Sequence, residues 1–215
     1  MLRHAFALAV NYGCFESFRI QLGKSWQEIT ALLDKTGAGN FSLWSADTLM
    51  FGYYETDEKV QLSGETRAAF DTIMNTFEGL VTWISPPDEE MRLMYQDFGV
   101  VRKNKELIRH RVFITRLSPG AQEEYKRRHD ALCDARGDKV NPGPDSNFSI
   151  WNAGDYIFGY DEIDTTMEKA ETEESLEKTV EWESRMLEIM DWVTDDVDWI
   201  TDERHEHIKR LGFHG

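Results

Sequence analysis

The hydrophobic positions of this chain follow two periods, and the same succession of them occurs twice. His4 to Val10 and Arg111 to Leu117 are apolar-rich runs of strand length. Each ends at a residue that commonly caps a helix, Asn11 or Ser118, and Pro119 suits a first helical position in the second case. A strand feeding a helix is predicted in both places. Phe41 to Trp44 with Leu49 to Tyr53, and Phe148 to Trp151 with Tyr156 to Tyr160, predict two β-hairpins around Ala46-Asp47 and Ala153-Gly154. A second helix follows each hairpin. It is clearest late in the chain, where Leu176, Val180, Leu187 and Met190 recur on one face and Trp182, Met186, Ile189 and Val193 widen it. Met91 to Phe98 and His207 to Phe213 are candidates for a last strand in each half.

The recurrence extends to residue identity. With an offset of 107 residues, Asn40 to Glu55 falls on Asn147 to Glu162 without a gap, and nine of the sixteen positions are identical. The same offset pairs Phe6 with Phe113, Val10 with Leu117, Glu16 with Glu123 and Phe18 with Tyr125. The chain is therefore a tandem duplication: a first unit over 1–99, a basic connector over 100–108 and a second unit over 109–215. The order β-α-β-β-α-β predicts an α+β fold made of two ferredoxin-like units, helices on one face of each antiparallel sheet. The other sheet face needs a cover. Two such units stacked sheet against sheet would form an intramolecular dimeric α/β barrel, a pseudo-dimer within one chain.

Composition narrows the functional classes. Of 215 residues 40% are hydrophobic and 30% charged, the balance of a folded, soluble chain. The formal charge of −16 would repel polyanions, which argues against nucleic-acid partners and anionic membranes. Eighteen of the 40 acidic residues lie between Asp161 and Glu206, read as a solvated helix face in preference to an acidic binding face. Two cysteines, Cys14 and Cys133, are too few for a disulfide framework, so a reduced, cytoplasmic protein is expected. The apolar run Ala5 to Val10 is short and lacks an A-x-A-like site, which favours a first strand over a signal peptide. No window approaches the ~18 apolar residues of a membrane span.

Tyr125 and His129 are four residues apart on the first helix of the second unit and share one helical face. A polar pair there could point inward. On spacing alone, Arg127-Arg128-His129-Asp130 suits an exposed surface better.

A family resemblance changes that balance. Ala5-Phe6-x(3)-Val10, then Glu123-Glu124-Tyr125-Lys126-Arg127-Arg128-His129, then Asn147-Phe148-Ser149-Ile150-Trp151, resembles the L-rhamnose mutarotase family over nearly all of both copies. Family units are of this length and fold as dimeric α/β barrels. The resemblance implies that His129 is the proton-transferring residue and that Tyr125 contacts a small-molecule sugar. Trp182 aligns with the first of two pocket tryptophans, as a wall of the site or as a core aromatic. Anomer interconversion opens and recloses a hemiacetal, moving one proton from the anomeric hydroxyl and another to the ring oxygen. A histidine of ordinary pKa near 6.5 can act as acid and base for this at neutral pH, and neither metal nor organic cofactor is required.

Departures from the pattern accompany the matches. Phe148 occupies the place of a substrate-contacting tyrosine and Glu183 that of the second tryptophan. In the first copy Phe18 and Leu22 replace the tyrosine and histidine, so that copy is expected to be catalytically silent. Gly137 to Asp145 must break or shorten the first helix of the second copy, either opening a mouth beside His129 or forming a plain surface loop. Glu203, His205 and His207 form a weak metal-site pattern, set aside for want of a fourth ligand. No phosphate loop, C-x-x-C pair or G-x-S-x-G elbow is present. The favoured reading is a mutarotase-like isomerase of a neutral deoxysugar. The alternatives are a non-catalytic sugar-binding or regulatory barrel and oxygenase, lyase or cyclase chemistry on the same fold.

Overall fold

Strand β1 (Leu2–Val10) sets Phe6, Leu8 and Val10 at alternate positions, and helix α1 (Phe15–Thr36) lays Phe18 and Leu22 against them. The core is completed by Phe41 and Leu43 of β2 (Gly39–Ala46), Met50 of β3 (Leu49–Thr56), Ile73 of α2 (Gly64–Asn75) and Phe77. A short strand, β4 (Val81–Trp83), pairs with the far edge of β1. The computed structural model describes residues 1–87, 89–170, 172–195 and 208–215.

The second half repeats this order. After β5 (Arg92–Gly99) come β6 (Ile108–Leu117), α3 (Gln122–Arg136), β7 (Asp145–Ala153), β8 (Tyr156–Asp164), α4 (Glu173–Met186) and β9 (Met190–Asp195), then β10 (Ile208–His214). Phe113, Leu117, Tyr125, Ile150, Ile157, Met186 and Met190 form its core. The sheets run β10-β2-β3-β1-β4 and β5-β7-β8-β6-β9. Each contains the four strands of a ferredoxin-like unit plus one outer strand, so the fold is α+β as expected.

Those outer strands correct the sequence reading. The fourth strand of the first unit is Val81–Trp83, whereas the predicted one, Met91 to Phe98, supplies β5 of the other sheet, paired with β7. Likewise β9 is the fourth strand of the second sheet, and the predicted His207 to Phe213 segment supplies β10 beside β2. The structural units are accordingly Met1–Met91 with Lys209–Gly215, and Arg92–Ile208, instead of a division at a connector over 100–108. An apolar pattern marks a strand but does not record which sheet edge will accept it. The predicted second helix also ran too far, through Met190 and Val193. It ends at Met186, and Met190-Asp-Trp-Val-Thr-Asp195 extends along β6. Short apolar runs satisfy both periods, and here edge pairing decided.

The helix starts differ too. Asn11 and Ser118 do not cap, and Pro119 is not helical. A β-turn closes from Asn11 O to Cys14 N (2.9 Å) and from Ser118 O to Ala121 N (3.0 Å), with Gly13 and Gly120 at φ 75° and 80°. Cys14 and Ala121 then stand at the N-caps. The Asn11 side-chain amide instead donates to Gly79 O at 2.9 Å.

The repeated Asn-Phe-Ser-x-Trp motif is largely scaffold. Asn40 and Asn147 adopt φ of 48° and 54° at matching register shifts between β2 and β3 and between β7 and β8. Each donates its amide to a buried carboxylate, Glu55 at 3.0 Å and Glu162 at 3.2 Å, which also accepts from Tyr53 or Tyr160 at 2.9 Å. Trp44 and Trp151 donate Nε1–H to Ser42 and Ser149 at 2.9 and 3.0 Å. Gly52 and Gly159, also shared, lie under the rings of Phe6 and Phe113. A Cβ at Gly159 would sit 2.0 Å from a ring carbon of Phe113. Gly159→Ala is therefore expected to lower stability by about 1–3 kcal/mol through overpacking, read from the midpoint of urea unfolding. An unchanged midpoint would mean that the ring has room to move.

Candidate active site

Helix α3 divides its side chains cleanly. Glu124 takes Arg127 and Arg128 at 2.7 and 2.8 Å, Lys126 is paired with Asp130, and Arg128 also reaches Glu188 at 3.1 Å, so this face is the charged, solvated one. Tyr125 and His129 lie on the other face and are 2% and 4% exposed. The surface reading of this stretch thus fails for these two residues. Their rings stack with centroids 4.3 Å apart.

Around them is a cavity of about 400 Å³, all of whose lining residues belong to the second unit. Trp182 of α4 presents its edge to His129 at 5.2 Å, and Tyr95 of β5 does so at 5.4 Å. Phe148 closes the wall beside Tyr95, ring to ring at 5.3 Å. Phe113 and Trp192 pack edge to face at 5.6 Å behind them. Lys178, Glu181 and Arg185 complete the α4 side of the lining. The predicted Tyr125, His129, Phe148 and Trp182 are thus brought together in one cavity. The Gly137 to Asp145 segment contributes none of the lining: α3 stops at Arg136 with Gly137 as its C-cap, and Pro142 O accepts from Arg102 at 2.9 Å. Of the two readings of that loop, the surface loop agrees with the structure.

The electrostatics of the cavity are set by burial. His129 Nδ1 lies 3.0 Å from Tyr125 O, a contact that requires the proton on Nδ1 and leaves Nε2 as the basic nitrogen. Burial lowers its pKa to about 4, the Tyr125 carbonyl and Asp130 opposing and Lys126 adding to the effect. His129 is therefore neutral at pH 7, a correction to the ordinary pKa assumed above. Burial likewise pushes the Tyr125 phenol far up, helped by the nearby Glu183. The Tyr95 phenol is raised as well, principally by burial, and accepts from Arg136 at 3.3 Å.

Two lining residues were not singled out as functional from sequence. Glu183 is 4% exposed, and burial raises its pKa to about 7 against the opposing charge of Arg111. Its Oε2 has no hydrogen-bond partner among the described residues. The signal for it was present, since a carboxylate three residues after Val180 and four before Leu187 interrupts the apolar face of α4. Tyr95 carried no comparable signal, because it arrives on the exchanged strand β5. Glu203, His205 and His207 lie outside the described residues. Among the described residues no cluster of three His, Cys, Asp or Glu side chains has the proximity of a metal site. None of the described helices is long and apolar enough to cross a membrane.

Comparison with known proteins follows the duplication. The L-rhamnose mutarotase family model matches residues 3–94 and again residues 110–211. No curated protein matches. Among solved structures, an anthrone oxidase-like protein is similar at 12% identity and a TM-score of 0.43, over 98% of this chain and 93% of that one.

Proposed function

The chain belongs to the L-rhamnose mutarotase family, with two copies of the family unit, and from this we propose that its second unit interconverts the anomers of a neutral deoxysugar of the L-rhamnose type. The observation that carries the reading is the pair of oppositely perturbed groups in one cavity, His129 held neutral and Glu183 held partly protonated at pH 7. Environments that separate two pKa values in this way divide the roles of base and acid between two side chains.

In the opening step the anomeric hydroxyl loses its proton to Nε2 of His129 while the Glu183 carboxyl gives its proton to the ring oxygen. The C1–O5 bond breaks and the aldehyde forms. Rotation about C1–C2 presents the other carbonyl face. The Glu183 carboxylate then takes back the proton of the C5 hydroxyl as that oxygen attacks C1, and the imidazolium returns its proton to the carbonyl oxygen. Each group ends as it began, with no redox change and no co-reactant. General acid–base assistance of this kind contributes about 10²–10⁴-fold in rate.

Trp182 and Phe148 supply apolar faces for the C–H surface of a deoxysugar, and Tyr125 supplies a phenol that its high pKa keeps as a hydrogen-bond donor. Tyr95 sets a second phenol beside Phe148, in compensation for the hydroxyl that Phe148 lacks. A neutral substrate suits a chain of net charge −16.

Saturation-transfer NMR at the anomeric protons tests the proposal. L-rhamnose and other neutral 6-deoxyhexoses should exchange between anomers faster with protein than without, and anionic sugars should not. Sugar binding by calorimetry with exchange at the spontaneous rate would overturn the enzymatic reading in favour of a binding protein.

A further inference from the structure

The first unit has a cavity at the same place as the second, and it is the larger of the two. It measures about 690 Å³ against about 400 Å³, and every residue lining it belongs to that unit. Phe6, Phe18, Leu22, Phe41 and Leu43 line it where Phe113, Tyr125, His129, Phe148 and Ile150 line the other, each pair separated by 107 residues. The duplication thus kept the cavity and replaced its polar pair by a phenyl ring and a leucine. Protein interiors rarely leave spaces much larger than a water molecule, and a cavity of this size lies in the range of small-molecule sites.

We propose that this is a second ligand site, and that it takes a neutral, flat, ring-bearing molecule instead of a sugar. Its wall is rich in aromatic rings: Phe6 and Trp83 at 5.9 Å, Trp26 and Phe41 at 6.1 Å, Phe18 and Phe77 at 5.7 Å, with Phe70 beside Trp83 at 6.5 Å. Such faces favour offset or edge contact with a planar ring system. Against these aromatic faces the hydroxyls of a sugar would lose their water without partners, a cost that disfavours a sugar there. Polar side chains also reach the lining, among them His4, Thr36 and Gln61. His4 stacks on Tyr54 at 4.8 Å, and its Nε2 is 2.8 Å from Thr56 Oγ1. Among the described residues the charged side chains of the lining are Lys59, Arg67, Glu89 and Glu90. Lys59 is 3.9 Å from Glu90, and Arg67 is paired with Asp71 at 3.0 Å, so both bases of the described lining already face a carboxylate and neither is left over to hold an anion.

The uncharged probe N-phenyl-1-naphthylamine, titrated into the full chain, provides the test. Saturable one-to-one binding at micromolar concentration is expected, with quenching of tryptophan emission because Trp26 and Trp83 line the cavity. Methyl NMR should show shifts at Leu22, Ile29 and Ile73, and L-rhamnose should not displace the probe. The sulfonated analogue 1-anilinonaphthalene-8-sulfonate carries the same rings with a fixed negative charge and should bind at least about tenfold more weakly, since burying its charge is costly. Leu22→Trp, which puts an indole into the space beside Phe18 and Phe41, should also weaken probe binding. No saturable binding up to the probe's solubility limit, or shifts centred on Ile150, Met186 and Met190, overturns the assignment. Equal affinity for the sulfonate overturns its neutral character. None of these readouts depends on mutarotation by the second unit.

Discussion

His129→Ala is expected to lower enzyme-dependent anomer exchange by about 10²–10⁴-fold, the range for removal of a positioned general base. Among the described residues His129 is the one imidazole lining the second unit's cavity, and its Nδ1 contact with the Tyr125 carbonyl fixes the tautomer that leaves Nε2 to accept a proton. The loss should fall on kcat. Substrate affinity should change little, because Trp182, Tyr95 and Phe148 still form the walls. Alanine leaves a gap beside the Tyr125 ring, so His129→Gln, which retains most of the volume, serves as the companion variant. Saturation-transfer NMR on L-rhamnose measures both against wild type. Exchange by either variant at the wild-type rate would remove His129 from the mechanism.

Glu183→Gln should have the next largest effect, and its signature is in the pH profile. The base is competent when His129 is neutral, above its pKa of about 4, and the acid is competent when Glu183 is protonated, below about 7. The wild-type kcat/KM should therefore rise through the first value, hold between them and fall as pH increases through the second. The alkaline limb belongs to Glu183. Arg111 acts against burial by favouring its carboxylate, and Lys178, Glu181 and Arg185 are the other charged residues of the lining among the described residues. Glutamine keeps the shape and can donate a hydrogen bond but has no proton to release, so the maximum should drop by about 10²-fold and the alkaline fall should disappear. A variant that retains the wild-type alkaline limb would show that another group is the acid.

The two variants bear on different parts of what could be read without a structure. His129 was legible because the family pattern Tyr-x-x-x-His names it, although its own neighbours, Arg127, Arg128 and Asp130, suggest an exposed surface. That suggestion held for Arg127 and Asp130, which meet Glu124 and Lys126, but not for Arg128, whose side chain is only 11% exposed between Glu124 and Glu188, and it failed for His129 because a helix presents opposite faces to different surroundings. Glu183 was visible only as a lost tryptophan. Its candidacy as an acid depends on how deeply α4 is set against the sheet, a quantity that no local pattern contains. Tyr95 was not legible at all. It is sequentially part of the first repeat and structurally part of the second sheet.

What the sequence determined by itself is the duplication, the first strand, first helix and hairpin of each copy, and, by resemblance, Tyr125 and His129 as the candidate site pair. These are local or repeated properties, carried by periodicity, turn chemistry and residue identity at a fixed offset. Tertiary structure alone decided the exchange of β5 and β10, the end of α4 at Met186, the neutral state of His129 and the raised pKa of Glu183. Strand edges are chosen by hydrogen-bonding partners remote in sequence, and a pKa is set by how much water the whole fold removes from a group.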